Sequence, residues 1–229
     1  MTDNSISLNK YISETGICSR READKMIEEN RVKINGQIAK KGNRVFPGDI
    51  VTLDNKPLKS KPKTVFIAFH KPAGVTCTTD KKDKDNIIDY IGYKDRIFHI
   101  GRLDKASTGL IFLTNDGDIV NEILRAENNH EKEYIVTVDK PVTDSFVEKM
   151  SKGIPILGTR TKPCFVEKIG KNAFRIILTQ GLNRQIRRMC EFLDYNVLTL
   201  KRIRIMNITL DNLKTQLTEE ESVQYSGED

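Results

Sequence analysis

Gly101-Arg102-Leu103-Asp104, running into Lys105-Ala106-Ser107-Thr108-Gly109-Leu110, sets one carboxylate beside an arginine in a glycine-bounded turn. The apolar run Leu110-Ile111-Phe112-Leu113-Thr114 predicts a buried strand after it, ended by a turn at Asn115-Asp116-Gly117. A carboxylate on a short turn between ordered elements is held in one place, as a nucleophile or general base must be. Taken alone, the same Asp equally serves to close its own turn. A second segment, Gln180-Gly181-Leu182-Asn183-Arg184-Gln185-Ile186-Arg187-Arg188-Met189, offers cations. A helix from about Asn183 would put Ile186, Met189, Cys190 and Leu193 on a buried face, with Arg184, Arg187 and Arg188 on or beside the opposite one. Guanidinium forks bond carboxylates and phosphates with two parallel hydrogen bonds. Further on, Lys201-Arg202-Ile203-Arg204-Ile205 predicts a half-buried strand. Residues 181–204 hold six Lys and Arg against two acids, a bias that favours a polyanionic partner over a plain solvated face. Between the two segments, Glu131-Lys132-Glu133-Tyr134-Ile135-Val136 puts a phenol at the mouth of a strand, where a Tyr alone reads as half-buried packing.

The net charge of +6 understates how basic the working body is. From Asp211 to Asp229 there are one Lys and six acids, net −5, which leaves +11 for residues 1–210. Such an excess favours a polyanion through counterion release and steering. There is no Trp, so a stacking platform for bare single strands is not advertised. Cys18, Cys77, Cys164 and Cys190 are scattered without a C-x-x-C pair, and His70, His99 and His130 stand apart from them. That spacing suggests neither a disulfide framework nor a zinc site, and it fits a reducing cytoplasm. No stretch has membrane-spanning length, the N-terminus opens no apolar run, and no G-x-G-x-x-G or P-loop occurs.

The elements that must carry these residues fall into two modules. In residues 1–53, Ser19-Arg20-Arg21-Glu22 has capping-box form and opens a helix to about Glu29 that buries Ala23, Met26 and Ile27. Leu8, Tyr11 and Ile12 fit the inner face of an earlier short helix. Val32-Lys33-Ile34, Asn35-Gly36 and Gln37-Ile38 predict a hairpin, and Phe46-Pro47-Gly48-Asp49 turns into a strand at residues 50–53. Residues 54–63, with four Lys and two Pro, predict an extended linker that could also touch a polyanion. From residue 64 to 229, strands at 65–69, 134–138 and 174–178 alternate irregularly with helices at 118–125 and 143–152. The order is no βαβ repeat, so the expected class is α+β around a largely antiparallel sheet.

Residues 19–23, 31–36 and 47–50 together resemble the RNA-binding domain named for the fourth small-subunit ribosomal protein. That resemblance implies that Arg20, Arg21, Lys25, Arg31 and Lys33 face structured RNA. Gly101-Arg102-Leu103-Asp104 with Gly109-Leu110, then Lys132-Glu133-Tyr134, then Gln180-Gly181 with Gln185-Ile186-Arg187-Arg188-Met189, resemble in order the motifs of the pseudouridine synthases. The likeness covers residues 5–210 and is strongest to the subgroup of the ribosomal small-subunit synthase A, which carries the same N-terminal domain. Within it, the chain looks most like a member that acts on large-subunit ribosomal RNA. Ser107 stands where many relatives carry Thr, which keeps the hydroxyl.

The resemblance implies isomerisation of uridine in RNA without metal, redox step or cofactor. The bond from ribose to uracil nitrogen breaks and is remade at uracil carbon 5. Asp104 maps to the required carboxylate, which attacks the anomeric carbon or removes the 2′ proton. Arg187 maps to the arginine that pairs with it and keeps it ionised. Tyr134 maps to the tyrosine that packs on the uracil and is the candidate base for the carbon 5 proton. Arg102 maps to the residue that fills the space left by the flipped base, and basic contacts offset a flipping cost of roughly a few kcal/mol. Lys132, Arg184, Arg188, Arg202 and Arg204 complete the expected RNA contacts. Large-subunit rRNA is the expected substrate; small-subunit rRNA or a tRNA anticodon stem-loop would use the same chemistry. A monomer in the cytoplasm is the simplest form. A non-catalytic RNA-binding or ribosome-assembly protein is the competing class, and it differs in not needing Asp104, Tyr134 and Arg187 in one cleft.

Overall fold

The computed structural model describes residues 4–124 and 130–211. Arg125, expected at a helix end, and the acidic ending beyond Asp211 lie outside the described residues. The chain divides into two compact units. The first runs to Val65 and includes Lys94–Arg96 and Asn115–Gly117; the second holds the remainder.

In the first unit, β1 (Ile6–Ser7) leads into α1 (Leu8–Glu14) and α2 (Arg20–Glu28), followed by β2 (Val32–Ile34), β3 (Gln37–Ile38), β4 (Arg44–Val45), β5 (Val51–Leu53) and β6 (Lys56–Pro57). The capping box is formed on both sides. Ser19 Oγ accepts from the Glu22 amide at 3.2 Å, and Glu22 Oε2 accepts from the Ser19 amide at 2.7 Å. Leu8 and Ile12 of α1 meet Ala23 and Ile27 of α2 over Val32 and Val51, an apolar seam that leaves Arg20, Arg21 and Lys25 in solvent. Asn35 and Gly36 both take positive φ, as the tight hairpin joining β2 and β3 requires. The expected linker starts later than residue 54. Asp54 and Asn55 also adopt left-handed backbone, turn β5 back into β6, and bring Leu58 onto the same core. Asp and Asn tolerate that conformation, so a stretch that reads as a charged spacer folds into a hairpin.

The second unit contains β7 (Phe66–Lys71), α3 (Ile87–Ile91), β8 (Phe98–Ile100), β9 (Thr108–Thr114), α4 (Gly117–Leu124), β10 (Lys132–Val138), α5 (Asp144–Ser151), β11 (Pro155–Ile156), β12 (Thr159–Arg160), β13 (Phe165–Gly170), β14 (Ala173–Leu178), α6 (Gln185–Phe192), β15 (Val197–Ile205) and β16 (Ile208–Thr209). The main sheet runs β13-β14-β10-β15-β9-β7, with β16 on β15 and β8 on β9. Every pairing in it is antiparallel except β15 with β9. The fold is thus α+β around a largely antiparallel sheet. Thr143 caps α5 through the Phe146 amide, and Phe146 and Met150 turn inward toward a core that includes Phe174.

The parallel contact matters most for the site, because it lays β15 against the start of β9, directly after the Asp104 turn. Arg202 opposes Gly109 there. Gly109 has φ 111°, and a Cβ on it would fall inside contact distance of the Arg202 carbonyl. On the other side of the turn, His99 of β8 donates from Nδ1 to the Gly101 carbonyl, 2.7 Å away. Burial lowers the His99 pKa from its usual 6.5, against the raising effect of that bond.

Gly109→Ala should lower stability by roughly 2–4 kcal/mol through strain and the clash with β15; a denaturant midpoint unchanged from wild type would refute the close approach. For His99, the unfolded chain binds the proton more readily than the fold does. Stability should therefore fall as the pH drops below 6.5 and level off below the folded pKa. A urea series at pH 5, 6 and 7 should show a smaller acid loss in His99→Gln than in wild type.

Candidate active site

The turn from Gly101 to Ser107 is fastened on both sides of Asp104. Leu103 donates its amide to Cys77 Sγ at 3.4 Å, and Ser107 donates its amide to the Asp104 carbonyl at 2.9 Å. Lys71, at the end of β7, is fully buried. Its ammonium bonds the carbonyls of Pro72 at 2.8 Å and Lys105 at 3.3 Å, and Gly74 adds an amide to the latter at 2.8 Å. Burial pulls the Lys71 pKa down, opposed in part by the Asp104 charge. These bonds fix backbone on either side of the carboxylate and leave its side chain about one-third exposed.

Arg187 reaches that side chain from the first half of α6, with Nε 3.3 Å from Asp104 Oδ2. The approach is an ion pair without hydrogen-bond alignment at Nε. Nη2 donates to Ser107 Oγ at 3.1 Å and Nη1 reaches the Val197 carbonyl at 3.5 Å. The hydroxyl of Ser107 is thus the group in use, and a Thr would offer the same one. Arg184 also approaches Oδ2, at 3.6 Å from Nη1.

Asp104, Arg187, Arg184, Tyr134, Arg102, Lys132 and Arg202 line one cavity of about 530 Å³. Tyr134 comes from β10, where it opposes Arg202 of β15 and is nearly buried. Lys132, two residues earlier on the same face, bonds the His130 carbonyl at 3.2 Å. Burial lowers the Lys132 pKa, with Arg202 acting in the same direction. The floor and walls are apolar, from Ile100, Phe112, Leu178, Ile186, Leu200 and Ile205. A carboxylate, a phenol and several cations over an apolar floor suit a planar heterocycle attached to an anionic chain.

Three arginines are placed differently from their expected roles. Arg202 is 3 % exposed, and its Nε bonds the Leu110 carbonyl at 2.7 Å, so it ties β15 to β9 beneath the cavity. The strict alternation expected at residues 201–205 is broken by a register shift opposite Glu133 and Tyr134. Arg204 pairs with Glu133 at 2.6 Å and Glu131 at 3.0 Å, so its charge is consumed within the sheet. Glu133 follows Lys132 and precedes Tyr134, and strand alternation puts it and Arg204 away from them. Arg188 folds back onto Asn183, at 3.1 and 3.2 Å, and braces the start of α6, which begins at Gln185 and not at Asn183. In the first unit, Arg31 forms a two-point pair with Asp54 at 2.9 and 2.7 Å, and Lys33 bonds Asn55 at 2.8 Å.

Several cavity residues carried no sequence signal of their own. Gln185 is buried; its Oε1 accepts from the Leu182 amide at 3.0 Å and its Nε2 donates to Gln180 Oε1 at 3.3 Å. Gln180 also accepts from the Lys162 amide at 3.1 Å, which anchors the base of the β11–β12 hairpin to the cavity rim. Both Gln residues lie within a motif of the sequence, but only the burial of Gln185 and the hydrogen bonds of Gln180 show that they shape the loop. Lys162 lay outside every motif.

Comparison with known proteins identifies the family. Residues 65–192 match the family model described as RNA pseudouridylate synthase, and residues 7–51 match the S4 domain. The dual-specificity RNA pseudouridine synthase RluF of Escherichia coli K12 is 55% identical over 215 residues, covering 93% of this chain and 74% of that protein. The ribosomal small subunit pseudouridine synthase A of the same strain is 31% identical over 209 residues, covering 89% and 90%. A crystal structure of a pseudouridylate synthase superposes with a TM-score of 0.66 at 29% identity, covering 94% of this chain and 97% of that one. Among the described residues no helix is long and apolar enough to cross a membrane. The chain therefore belongs to the RNA pseudouridylate synthases and carries an S4 domain ahead of its synthase domain.

Proposed function

We propose that Asp104 is the reacting carboxylate of this RNA pseudouridine synthase, with Arg187 as its orienting partner and Tyr134 as the group that meets the uracil. The observation that carries this reading is the Arg187–Asp104 pair at 3.3 Å, in the same cavity as Tyr134. It favours an enzyme over a non-catalytic RNA-binding protein, which has no use for a carboxylate held by an anchored arginine in a cleft. The reaction conserves atoms: the bond from C1′ to N1 breaks, C1′ bonds to C5, and the C5 proton is lost while N1 gains one. Asp104 takes part at the sugar, by attack on C1′ or removal of the 2′ proton. Tyr134 stacks on the uracil and is the candidate base: its oxygen takes the C5 proton as its own hydroxyl proton passes to solvent, and solvent returns a proton to N1. Arg102, exposed at the cavity edge, fills the space that the flipped base leaves. Lys132 and Arg184 serve the RNA backbone, while Arg202, Arg204 and Arg188 act within the fold.

The proposed organisation is an RNA-binding domain that runs past residue 53 to include β6 and Leu58, followed by a catalytic domain from about residue 64, acting as a cytoplasmic monomer. The first supplies Arg20, Arg21 and Lys25 to structured RNA. Large-subunit rRNA is the proposed substrate, supported by 55% identity to RluF. The dual specificity in the name of that relative supports a second RNA target, for which a tRNA anticodon stem-loop is the first candidate.

Carbodiimide-adduct primer extension on 23S rRNA, 16S rRNA and tRNA from cells lacking the protein tests this directly. At least one stop should vanish and return with wild type but not with Asp104→Asn; stops that persist in every strain would overturn the reading. In the purified protein, Tyr134→Phe keeps the ring and should slow turnover about 10²–10⁴-fold. A rate equal to wild type would remove the phenol from the mechanism. Reversing charge at Arg20 and Arg21 should weaken RNA binding and flatten its salt dependence by about one per lost phosphate contact. Unchanged affinity would place the main RNA contact elsewhere.

A further inference from the structure

Two arginines converge on one oxygen of Asp104, and they are built differently. Arg187 is 11% exposed and bonded at its other nitrogens to Ser107 and the Val197 carbonyl. Arg184 is 47% exposed and lies 3.6 Å from Oδ2, a Coulombic contact beyond good hydrogen-bond length. Such an exposed pair is weak and easily exchanged. The backbone under Arg184 is nevertheless fixed. Arg184 has φ 51° and ψ 35° at the cap of α6, with no cap bond from its side chain. Gln185 holds the preceding turn through Leu182 and Gln180, and Arg188 holds it through Asn183. A left-handed conformation in a long, branched-head residue is costly, and such strain persists where the surroundings enforce it, commonly at functional sites. A rigid base and a loosely held cation together describe a side chain meant to move at its tip.

We propose that Arg184 is a two-position cation: in the free enzyme it covers Asp104, and on RNA binding it transfers to a phosphate beside the target nucleotide. This rests on the reading of Asp104 as the reacting group. A phosphate offers the guanidinium two aligned charge-assisted bonds, where Asp104 offers one long contact. Arg187 stays in place throughout, so the carboxylate keeps its orientation while losing its cover. Capture of the backbone and uncovering of the carboxylate become one event, and Asp104 and the RNA compete for the same cation.

Competition gives a thermodynamic signature in binding alone. Affinity for a 23S rRNA transcript would be measured at fixed salt for wild type, Asp104→Asn, Arg184→Asn and the double variant. Asn accepts left-handed backbone, so Arg184→Asn preserves the turn; Arg184→Lys, a cation without the fork, is the second variant. Asp104→Asn should tighten binding about three- to tenfold when Arg184 is present, because the cation is released to the RNA. In the Arg184→Asn background the same change should have at most a twofold effect. Equal tightening in both backgrounds would mean that Asp104 merely repels RNA, and no tightening in either would mean that Arg184 is not shared; each result overturns the proposal. Arg184→Lys should show an intermediate coupling, and a coupling equal to that of Arg184→Asn would count against a charge-based exchange. Turnover of wild type on the same transcript, read separately, reports on the underlying enzyme assignment.

Discussion

Everything in the synthase unit converges on an ion pair between residues far apart in the chain. Asp104 sits on the turn before β9, and Arg187 sits on α6, after three further strands of the main sheet, β10, β13 and β14, have been laid down. Neither element is positioned by the other alone. The Asp104 turn is clamped by Lys71, Gly74, Cys77 and Ser107, and Arg187 is clamped by Ser107 and Val197. Ser107 belongs to both clamps: its amide holds the Asp104 carbonyl and its hydroxyl holds Arg187. The closeness of Gly109 to Arg202 lets β15 run beside β9 and sets Arg202 across from Tyr134. A catalytic carboxylate gains most from such rigidity, since its partner then need not reorganise during the reaction.

The parts of this arrangement that local chemistry dictates were legible in the sequence. The Ser19–Glu22 capping box, the Asn35-Gly36 hairpin and the Thr143 cap each follow from a few adjacent residues, and each forms as expected. The Asp104 turn was legible for the same reason, being bounded by glycines and followed by an unbroken apolar strand. What the sequence concealed depends on strands distant in the chain. Arg204 and Glu133 carry no mark that they will sit side by side, because their pairing arises only once β10 and β15 are in register. Gln185 reads as a polar helix residue until the turn it braces is seen. Lys71 reads as the charged end of a strand, yet lies fully buried against the carbonyl next to Asp104.

Charge also sorts differently in space than along the chain. The basic run at residues 181–204 looks uniform in sequence, but only part of it meets the cavity. Arg204 and Arg188 are spent on the fold, and Arg202 serves as a tie between strands. Among the described residues, the other cations lining the cavity are Arg102, Lys132, Lys162 and Arg184, together with Arg187, whose neighbours hold it still. A site that receives RNA needs both kinds: anchored cations to shape the reacting group and exposed ones to exchange partners with phosphate.

The central claim is that Arg187 works through Asp104 and not through the RNA. The direct measurement is the single-turnover rate of uridine conversion by Arg187→Gln, with RNA affinity determined on the same protein. The account predicts a rate at least about a hundredfold lower than wild type, with affinity within about threefold. A preserved rate, or a loss of rate matched by an equal loss of binding, would contradict it.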